Sequence, residues 1–98
     1  MDNPSMTNQE TLVALGSDLR IGRAGEIFDL LTAAAHIAKT VTIDGSEVSK
    51  VDTAGLQALV AGVICLRNAG AVWHWQNGSA ALISAAEILD LEETLRLR

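Results

Sequence analysis

The chain has few of the residues that build disulfides and metal sites. Its 98 residues include one cysteine, Cys65, and two histidines, His36 and His74, which are not spaced as metal ligands. A single cysteine cannot form a disulfide within the chain, and it also excludes zinc sites that need cysteine pairs. We therefore expect no metal, no cofactor and a reducing, cytoplasmic location.

Long apolar runs and basic charge are also scarce. No apolar run reaches the ~20 residues that a transmembrane helix needs, and the first residues, MDNPSMTNQ, lack the pattern of a signal peptide. The seven Lys and Arg residues are scattered and outnumbered by twelve Asp and Glu, which gives a formal net charge of −5. Nucleic-acid binding requires a basic surface stripe. We therefore expect neither nucleic-acid binding nor membrane insertion.

Apolar side chains are abundant. The hydrophobic fraction is 49% and the charged fraction is 19%, which argues against a disordered chain and fits one small domain with its own core. Residues 1–9 are polar and contain the only proline. We interpret them as a flexible leader and residues 10–98 as the folded domain.

Strands and helices alternate along this domain. Residues 11–16 predict a strand that ends at Gly16, and residues 18–22 predict its short antiparallel hairpin partner. Helices are predicted over residues 23–39, 52–70 and 80–90, and further strands over residues 40–44 and 71–76. The last of these helices is expected to turn Leu82, Ile83, Ala86 and Leu89 inward. The alternation after residue 40 predicts parallel pairing. The expected fold is α/β, or mixed α+β, with helices packed on a mixed sheet of four or five strands.

The helix predicted over residues 52–70 has almost no polar side chains. Between Thr53 and Arg67 the only one is Gln57. At 100° per residue, one dense apolar stripe faces the core, formed by Leu56, Leu59, Val60, Val63 and Leu66. The remaining arc is small and uncharged, formed by Thr53, Ala54, Gln57, Ala58, Ala61, Ile64, Cys65 and Asn68. Such a face suits the close approach of a partner protein. Alternatively, this is an alanine-rich helix that happens to have few charges.

Asp52 and Thr53 begin this helix, where backbone N–H groups are unpaired and the helix dipole is positive. One hypothesis is that either residue only caps the helix. The other is that the Thr53 hydroxyl accepts a phosphate, which brings about −1.5 to −2 charges to the edge of the uncharged arc. The helix N-terminus tolerates this charge and a docked partner does not, so one modification would switch binding and leave the fold intact.

The other reactive residue types have structural interpretations. Trp73 and Trp75 alternate on one strand and face the same side, which favours core packing over a ligand platform. Cys65 lacks a catalytic His or Asp at a suitable spacing and fits as a small hydrophobe, and His74 fits as a structural histidine. The C-terminal acids Glu87, Asp90, Glu92 and Glu93 fit a solvated helix face better than a general acid–base pair. Residues 22–26, GRAGE, lack the rest of a nucleotide-binding motif, and we expect no catalytic residue.

The segment VSKVDTAGLQALVAGV, with the preceding KTVTIDGSEV, resembles the STAS domain of sulfate transporters and anti-sigma factor antagonists. The segment NGSAALISAAEILDL resembles the closing helix of that family, so the resemblance covers residues 10–97. It implies a STAS fold and a non-enzymatic bacterial signalling protein that acts by docking to another protein.

The resemblance also implies a site. In anti-sigma factor antagonists, an anti-sigma factor that is also a serine kinase phosphorylates the hydroxyl residue after the Asp, and on this chain that position is Thr53. The unphosphorylated form binds the kinase and frees the sigma factor. The implied partner-binding surface is the loop and first helical turns, comprising Ser49, Lys50, Asp52, Thr53, Ala54 and Gln57. We extend it along the uncharged arc to Ala61 and Ile64.

The chain has Thr-Ala where the best-known antagonists have Ser-Ser. Thr-Ala or Thr-Gly also occurs in two other STAS branches, the small cytoplasmic subunits that grip the ATPase of lipid-trafficking ABC transporters and stand-alone domains of chemotaxis gene clusters. We expect phosphorylation-controlled partner switching. The alternative is docking without phosphorylation on an ABC transporter ATPase or a signalling scaffold, and a homodimer is compatible with both. A small enzyme that uses the C-terminal carboxylates is a third hypothesis, against which the lack of a supporting His, Cys or Gly motif counts.

Overall fold

The computed structural model describes residues 10–97. The elements in chain order are β1 (Glu10–Ala14), β2 (Asp18–Leu19), α1 (Ile21–Ile37), β3 (Thr40–Gly45), β4 (Lys50–Val51), α2 (Thr53–Asn68), β5 (Val72–Gly78), α3 (Ala80–Ile88) and α4 (Glu92–Leu95). The predicted leader lies outside the described residues. The three predicted helices and the strands predicted over residues 40–44 and 71–76 are present.

Within the described residues, every strand pairing is parallel. The main sheet has three strands in the order β1-β3-β5, with Val13 opposite Ile43 and Val41 opposite Trp73. The two-residue strands β2 and β4 pair with each other. The predicted α/β class is therefore confirmed, with five described strands arranged as a group of three and a group of two.

The predicted opening hairpin is wrong, and so is the antiparallel part of the predicted sheet. β1 pairs with β3 and β2 pairs with β4, so the two predicted partners do not pair with each other. The Leu15 N–H donates to the Asp44 carbonyl oxygen at 3.0 Å, which keeps the chain along β3 up to Gly16. Leu15 and Leu19 are then both fully buried. Burial of these two leucines in the common core takes the place of a local pairing.

One cluster of buried apolar side chains joins the sheet to the helices. Alternate residues of β1 and β3 enter it, such as Val13 and Ile43, together with Leu82 of α3 and Leu95 of α4. The opposite face of the sheet is open among the described residues, where Leu12 is 58% exposed and Val72 is 54% exposed. Buried and exposed side chains therefore alternate along these parallel strands because helices cover only one side of the sheet.

α1 and α2 pack against each other at a glycine. A Cβ atom at Gly62 would lie 2.3 Å from Cδ1 of Leu31 and 2.8 Å from its Cβ, so this position has no room for a side chain. Of the apolar stripe predicted for α2, four residues are buried, namely Leu56, Leu59, Val63 and Leu66, and Val60 is half-buried. The helix therefore lacks a wide polar stripe partly because α1 covers one of its sides.

Both tryptophans of β5 pack inward, as predicted. Trp73 is buried and Trp75 is half-buried against the core. The Trp75 indole N–H donates to the carbonyl oxygen of Leu95 at 2.7 Å, and the Trp73 indole N–H donates to the same oxygen at 3.5 Å. The guanidinium of Arg96 lies 4.2 Å from the ring centre of Trp73. These contacts fix the C-terminal turn onto β5.

Candidate functional site

Asp52 connects the N-termini of the two long helices. Its Oδ1 accepts a hydrogen bond from the Gly55 backbone N–H at 2.8 Å, in the first turn of α2. Its Oδ2 accepts from the Ile21 backbone N–H at 3.0 Å, at the first residue of α1. The N-cap residue of α1, Arg20, makes no side-chain cap bond of its own. One carboxylate thus satisfies an otherwise unpaired N–H in each helix, so the capping hypothesis holds for Asp52.

The glycine of the Asp-Thr-Ala-Gly motif has a steric reason. A Cβ atom at Gly55 would lie 2.0 Å from the carbonyl oxygen of Leu19 in β2. The same carbonyl accepts a hydrogen bond from the Asp52 N–H at 3.2 Å. The start of α2 therefore lies directly against the backbone of β2, and any larger residue would separate them. Both Asp52 and Gly55 serve the fold.

Thr53 differs from these neighbours. It is the first residue of α2 and is exposed. Within residues 10–97 its hydroxyl makes no hydrogen bond. The backbone around it is fixed by Asp52, so the hydroxyl is held at an accessible position without having a structural task of its own.

Thr53 lies where two clefts between α2 and α3 meet. One has a volume of about 140 Å³, and its lining includes Asp52, Thr53, Ile88 and Leu89. The other has a volume of about 270 Å³ and is lined by Thr53, Gln57, Val60, Leu89 and Leu91. Since Thr53 and Leu89 line both, the clefts are continuous. We call this surface the Thr53 groove, formed by Thr53, Gln57 and Val60 on one side and by Ile88, Leu89 and Leu91 on the other.

The α3 side of the groove was missed by sequence reasoning. Ile88 is 79% exposed and Leu89 is 38% exposed. The prediction that Leu89 faces inward is wrong, because α3 ends at Ile88 and Leu89 is its C-cap residue. Leu82 and Ala86 are buried as predicted, and Ile83 is half-buried. A signal was present in the sequence for Ile88, which at 100° per residue lies about 120° from Leu82 and about 160° from Ala86, outside their stripe.

The predicted partner-binding residues follow one side of α2 and the loop before it. Ser49, Lys50, Thr53, Gln57 and Ile64 are exposed, and Asp52, Ala54 and Ala61 are half-buried. The Ser49 backbone N–H donates to the carbonyl oxygen of Ser17 at 2.9 Å, which ties the loop to the chain before β2. The predicted partner-binding residues adjoin the Thr53 groove, because Thr53 and Gln57 belong to the predicted set and also line the groove.

The charged residue directly before the start of α1 is paired with a second one. Arg20 binds Asp18 through two contacts, Nε to Oδ1 at 2.9 Å and Nη2 to Oδ2 at 3.0 Å. The hydrogen bonds from Arg20 lower the pKa of Asp18, and the charge of Lys50 acts in the same direction. Lys50 and Asp52 are the charged residues nearest in sequence to Thr53, and neither forms an ion pair within residues 10–97.

The remaining candidates do not assemble into a second site of known chemistry. Cys65 and His36 line a separate cleft of about 330 Å³ between the C-terminal halves of α1 and α2. The His36 ring nitrogen Nδ1 lies 2.8 Å from the Thr32 carbonyl oxygen. His74 is exposed on the side of β5 opposite the tryptophans. Within residues 10–97, no three His, Cys, Asp or Glu side chains come close enough to hold a metal ion.

The comparison with family models decides the family. A model described as Mlab, STAS domain, matches residues 3–98. The chain belongs to the STAS family. Domains of this family generally mediate protein–protein interaction. In the part of this STAS domain that the structure describes, no helix is both long enough and apolar enough to cross a membrane.

A solved structure shares the fold of this STAS domain. It is the crystal structure of a sulfate transporter family protein from Wolinella succinogenes, with a TM-score of 0.76 and 18% sequence identity. The alignment covers 96% of this chain and 82% of that chain. At this identity the similarity shows the STAS fold alone. The comparison with curated proteins gives no match.

Proposed function

We propose that this STAS domain is a non-enzymatic, cytoplasmic docking protein that binds a partner protein through the start of α2. The exposed Thr53, located beside an apolar groove on a helix face without charge, is the observation that carries this proposal. The docking surface comprises the Thr53 groove and the predicted residues Ser49, Lys50, Asp52, Ala54, Ala61 and Ile64.

The composition of this surface supports docking. From Thr53 to Ile64 the exposed side of α2 has small or uncharged side chains, including Gln57 and Ala61. Interface cores are depleted in charge, and small side chains allow two backbones to approach closely. Ser49 and Lys50 would lie at the polar rim of the interface.

We infer that phosphate on Thr53 controls docking, with a serine/threonine kinase of the anti-sigma factor type as the partner. Asp52 makes the two capping bonds, so a modified Thr53 hydroxyl disturbs neither helix. The dipole of α2 favours the added negative charge. A docked partner would have to bury that charge next to Val60 and Leu89, which is unfavourable. Phosphorylation would therefore release the partner.

A second candidate is permanent docking on the ATPase of an ABC transporter or on a signalling scaffold. The exposure of Ile88, at 79%, favours it, because permanent interfaces are more apolar than transient ones. In this case Thr53 is a contact residue and not a phosphoacceptor.

Photo-crosslinking in the source cell tests docking. A crosslinking amino acid at Gln57 is expected to capture a defined partner, and the same group at Ala33, exposed on α1, is the matched control. Thr53→Glu should reduce the Gln57 crosslink about tenfold while changing the free energy of unfolding by less than about 0.5 kcal/mol. Equal crosslinking from Gln57 and Ala33 would refute the docking surface.

Two further measurements separate the candidates. Thr53→Val removes the phosphoacceptor, so this variant should stay docked under conditions in which phosphorylation releases the protein that has Thr53. The intact mass of protein purified from its own host should show one added phosphate, which Thr53→Val abolishes. If no phosphate is found in either the bound or the free pool, permanent docking replaces the switch. A loss of several kcal/mol of stability in Thr53→Glu would instead make Thr53 structural.

A further inference from the structure

We propose that the Thr53 groove binds a basic amphipathic helix of the partner protein. The apolar side chains of this helix contact Ile88 and Leu89, and its Lys and Arg side chains face Glu87, Asp90 and Glu93. This inference rests on the proposed docking function and specifies the chemistry of the segment that docks.

The apolar part of the groove is open to solvent. Ile88 and Leu89 are 79% and 38% exposed, and both line the cleft that contains Thr53. Leu91 and Val60 extend the same apolar lining along the second cleft. Contiguous exposed apolar side chains next to a cleft are typical of a binding surface.

The charged residues that flank Ile88 and Leu89 in the chain are all acidic. Residues 80–95 contain four acidic residues and no Lys or Arg. Glu87 directly precedes Ile88 and Asp90 directly follows Leu89, so both carboxylates flank the exposed apolar pair. Glu87, Asp90 and Glu93 are exposed and form no ion pair within residues 10–97. Asp52 adds a further carboxylate to the lining of the groove.

The position of Glu87 makes its carboxylate unfavourable in the free chain. Glu87 lies in the last turn of α3, and that turn has no basic residue. The C-terminal end of a helix carries partial negative charge, which carboxylates oppose and cations offset. A basic partner segment would therefore relieve repulsion that this chain does not relieve itself.

Two of the cations nearest in sequence to the groove are engaged elsewhere. Arg20 is bound to Asp18, and Arg96 stacks on Trp73. Lys50 is exposed and lies in β4, a strand that α3 contacts, but it forms no ion pair with Glu87, Asp90 or Glu93 within residues 10–97. An acidic segment would consequently be repelled on the α3 side, whereas a basic one is attracted along Glu87, Asp90 and Glu93.

The dimensions of the groove suit a helix. On the α2 side its lining residues are Thr53, Gln57 and Val60, spaced four and three residues apart. This spacing follows two helical turns, about 10 Å at 1.5 Å per residue. A partner helix with apolar residues at positions i, i+3 or i+4, and i+7 matches that length. Thr53 lies on the apolar side of the groove, where a phosphate would meet the apolar side chains of the helix and not its basic ones.

Crosslinking from the α3 side tests the chemistry of the partner. A photo-crosslinking amino acid at Ile88, in the full chain in its source cell, should join a partner segment that mass spectrometry can sequence. We expect this segment to have a net positive charge and apolar residues at spacings of three and four. A crosslink at Gln57 without one at Ile88, or a segment without positive charge, overturns this inference and leaves the proposed docking function standing. Failure at both positions refutes docking itself.

Charge reversal tests the acidic residues directly, with a synthetic peptide of the crosslinked segment as the probe. Glu87→Lys, Asp90→Lys and Glu93→Lys together should weaken binding by about a hundredfold, measured by fluorescence anisotropy. The control triple of Glu10→Lys, Asp29→Lys and Glu47→Lys changes the net charge equally at exposed sites elsewhere and should cost less than about threefold, since salt screens distant charges. Equal losses in both triples contradict the assignment. If the first triple variant fails to fold, the salt dependence of the unaltered protein provides the test. An affinity for the peptide that does not fall with rising salt would also contradict the assignment.

Discussion

Asp52 and Thr53 are neighbours in the chain, and the fold uses them differently. Asp52 places one carboxylate oxygen on each of two helix starts, so its side chain is part of the framework. Thr53 points away from that framework and is accessible. At the scale of single residues, the motif therefore divides into positions that build the site and one position that is available to a partner or a kinase.

The double cap gives a stability prediction. Asp52→Ala leaves an unpaired N–H at the start of both α1 and α2, so it should lower the free energy of unfolding by about 2 kcal/mol. Ser79→Ala, which removes the single cap bond that the Leu82 N–H donates to Ser79 Oγ, should cost about 1 kcal/mol. Urea denaturation compares the two variants. Equal losses would indicate that only one of the two Asp52 bonds contributes.

The Asp18–Arg20 pair gives a pH prediction. Arg20 lowers the pKa of Asp18, chiefly through their hydrogen bonds. A carboxyl group whose pKa is lower in the folded than in the unfolded state stabilises the fold at pH values above its unfolded pKa. This stabilisation is lost as the pH falls through the folded pKa. Arg20→Gln should therefore raise the pKa of Asp18 in an NMR titration, with little change in stability at neutral pH because the pair is exposed. Arg67→Gln, at the far end of α2, should leave the pKa of Asp18 unchanged.

At the scale of elements, glycine sets how closely α1 and α2 approach. Gly62 faces Leu31 with no room for a Cβ atom, whereas Gly25 of α1 has no heavy atom within 4 Å of that position. Gly62→Ala should lower stability by about 1–3 kcal/mol through overpacking. Gly25→Ala should raise it by about 0.5–1 kcal/mol through helix propensity. Thermal unfolding of the two single variants gives the signs, and a Gly62→Ala variant as stable as the parent would mean that the helices separate freely.

The elements were predictable where their signal is local. The period of α1, the apolar stripe of α2 and the alternation of β3 and β5 each lie within one segment of sequence. The strand partners of β1 and β2 were not predictable in this way, because they depend on where Leu15 and Leu19 become buried. A short separation along the chain favours a hairpin only when the turn permits it. The class of fold survives that error because the β-α alternation sets it.

The site was predictable on its α2 side alone. The Asp-Thr-Ala-Gly motif marks the start of that helix, and the uncharged arc follows from its sequence. The α3 side depends on where α3 ends and on how it packs beside β4, which brings Ile88 into the cleft that Thr53 lines. The bond between Asp52 and Ile21 joins residues 31 apart, and no local pattern indicates it.

At the scale of the whole molecule, the C-terminal turn is part of the single core. Leu95 is fully buried, and its carbonyl oxygen accepts hydrogen bonds from both tryptophans of β5. Loss of α4 would therefore expose the indole rings and open the core cluster at the same time. Within the described residues there is no separate subdomain whose unfolding the tryptophan fluorescence would miss.

Unfolding should accordingly occur in one step. We expect tryptophan fluorescence and far-ultraviolet circular dichroism to give coincident urea transitions, as small single domains do. Leu95→Ala should lower stability by about 2–5 kcal/mol through the cavity that it leaves and should move both transitions together. A fluorescence transition at lower urea than the circular dichroism transition would show that α4 detaches before the sheet and the long helices unfold.

The carboxylate shared by α1 and α2 also affects how related proteins can diverge. A lineage that loses the acid at the position of Asp52 loses helix starts in two places, so selection for a folded chain alone should retain it. No such pressure acts on Thr53, where the residue is free to change whenever the interacting protein changes. Across descendants of one ancestral gene, the first position should therefore stay constant while the second separates the lineages by what they bind.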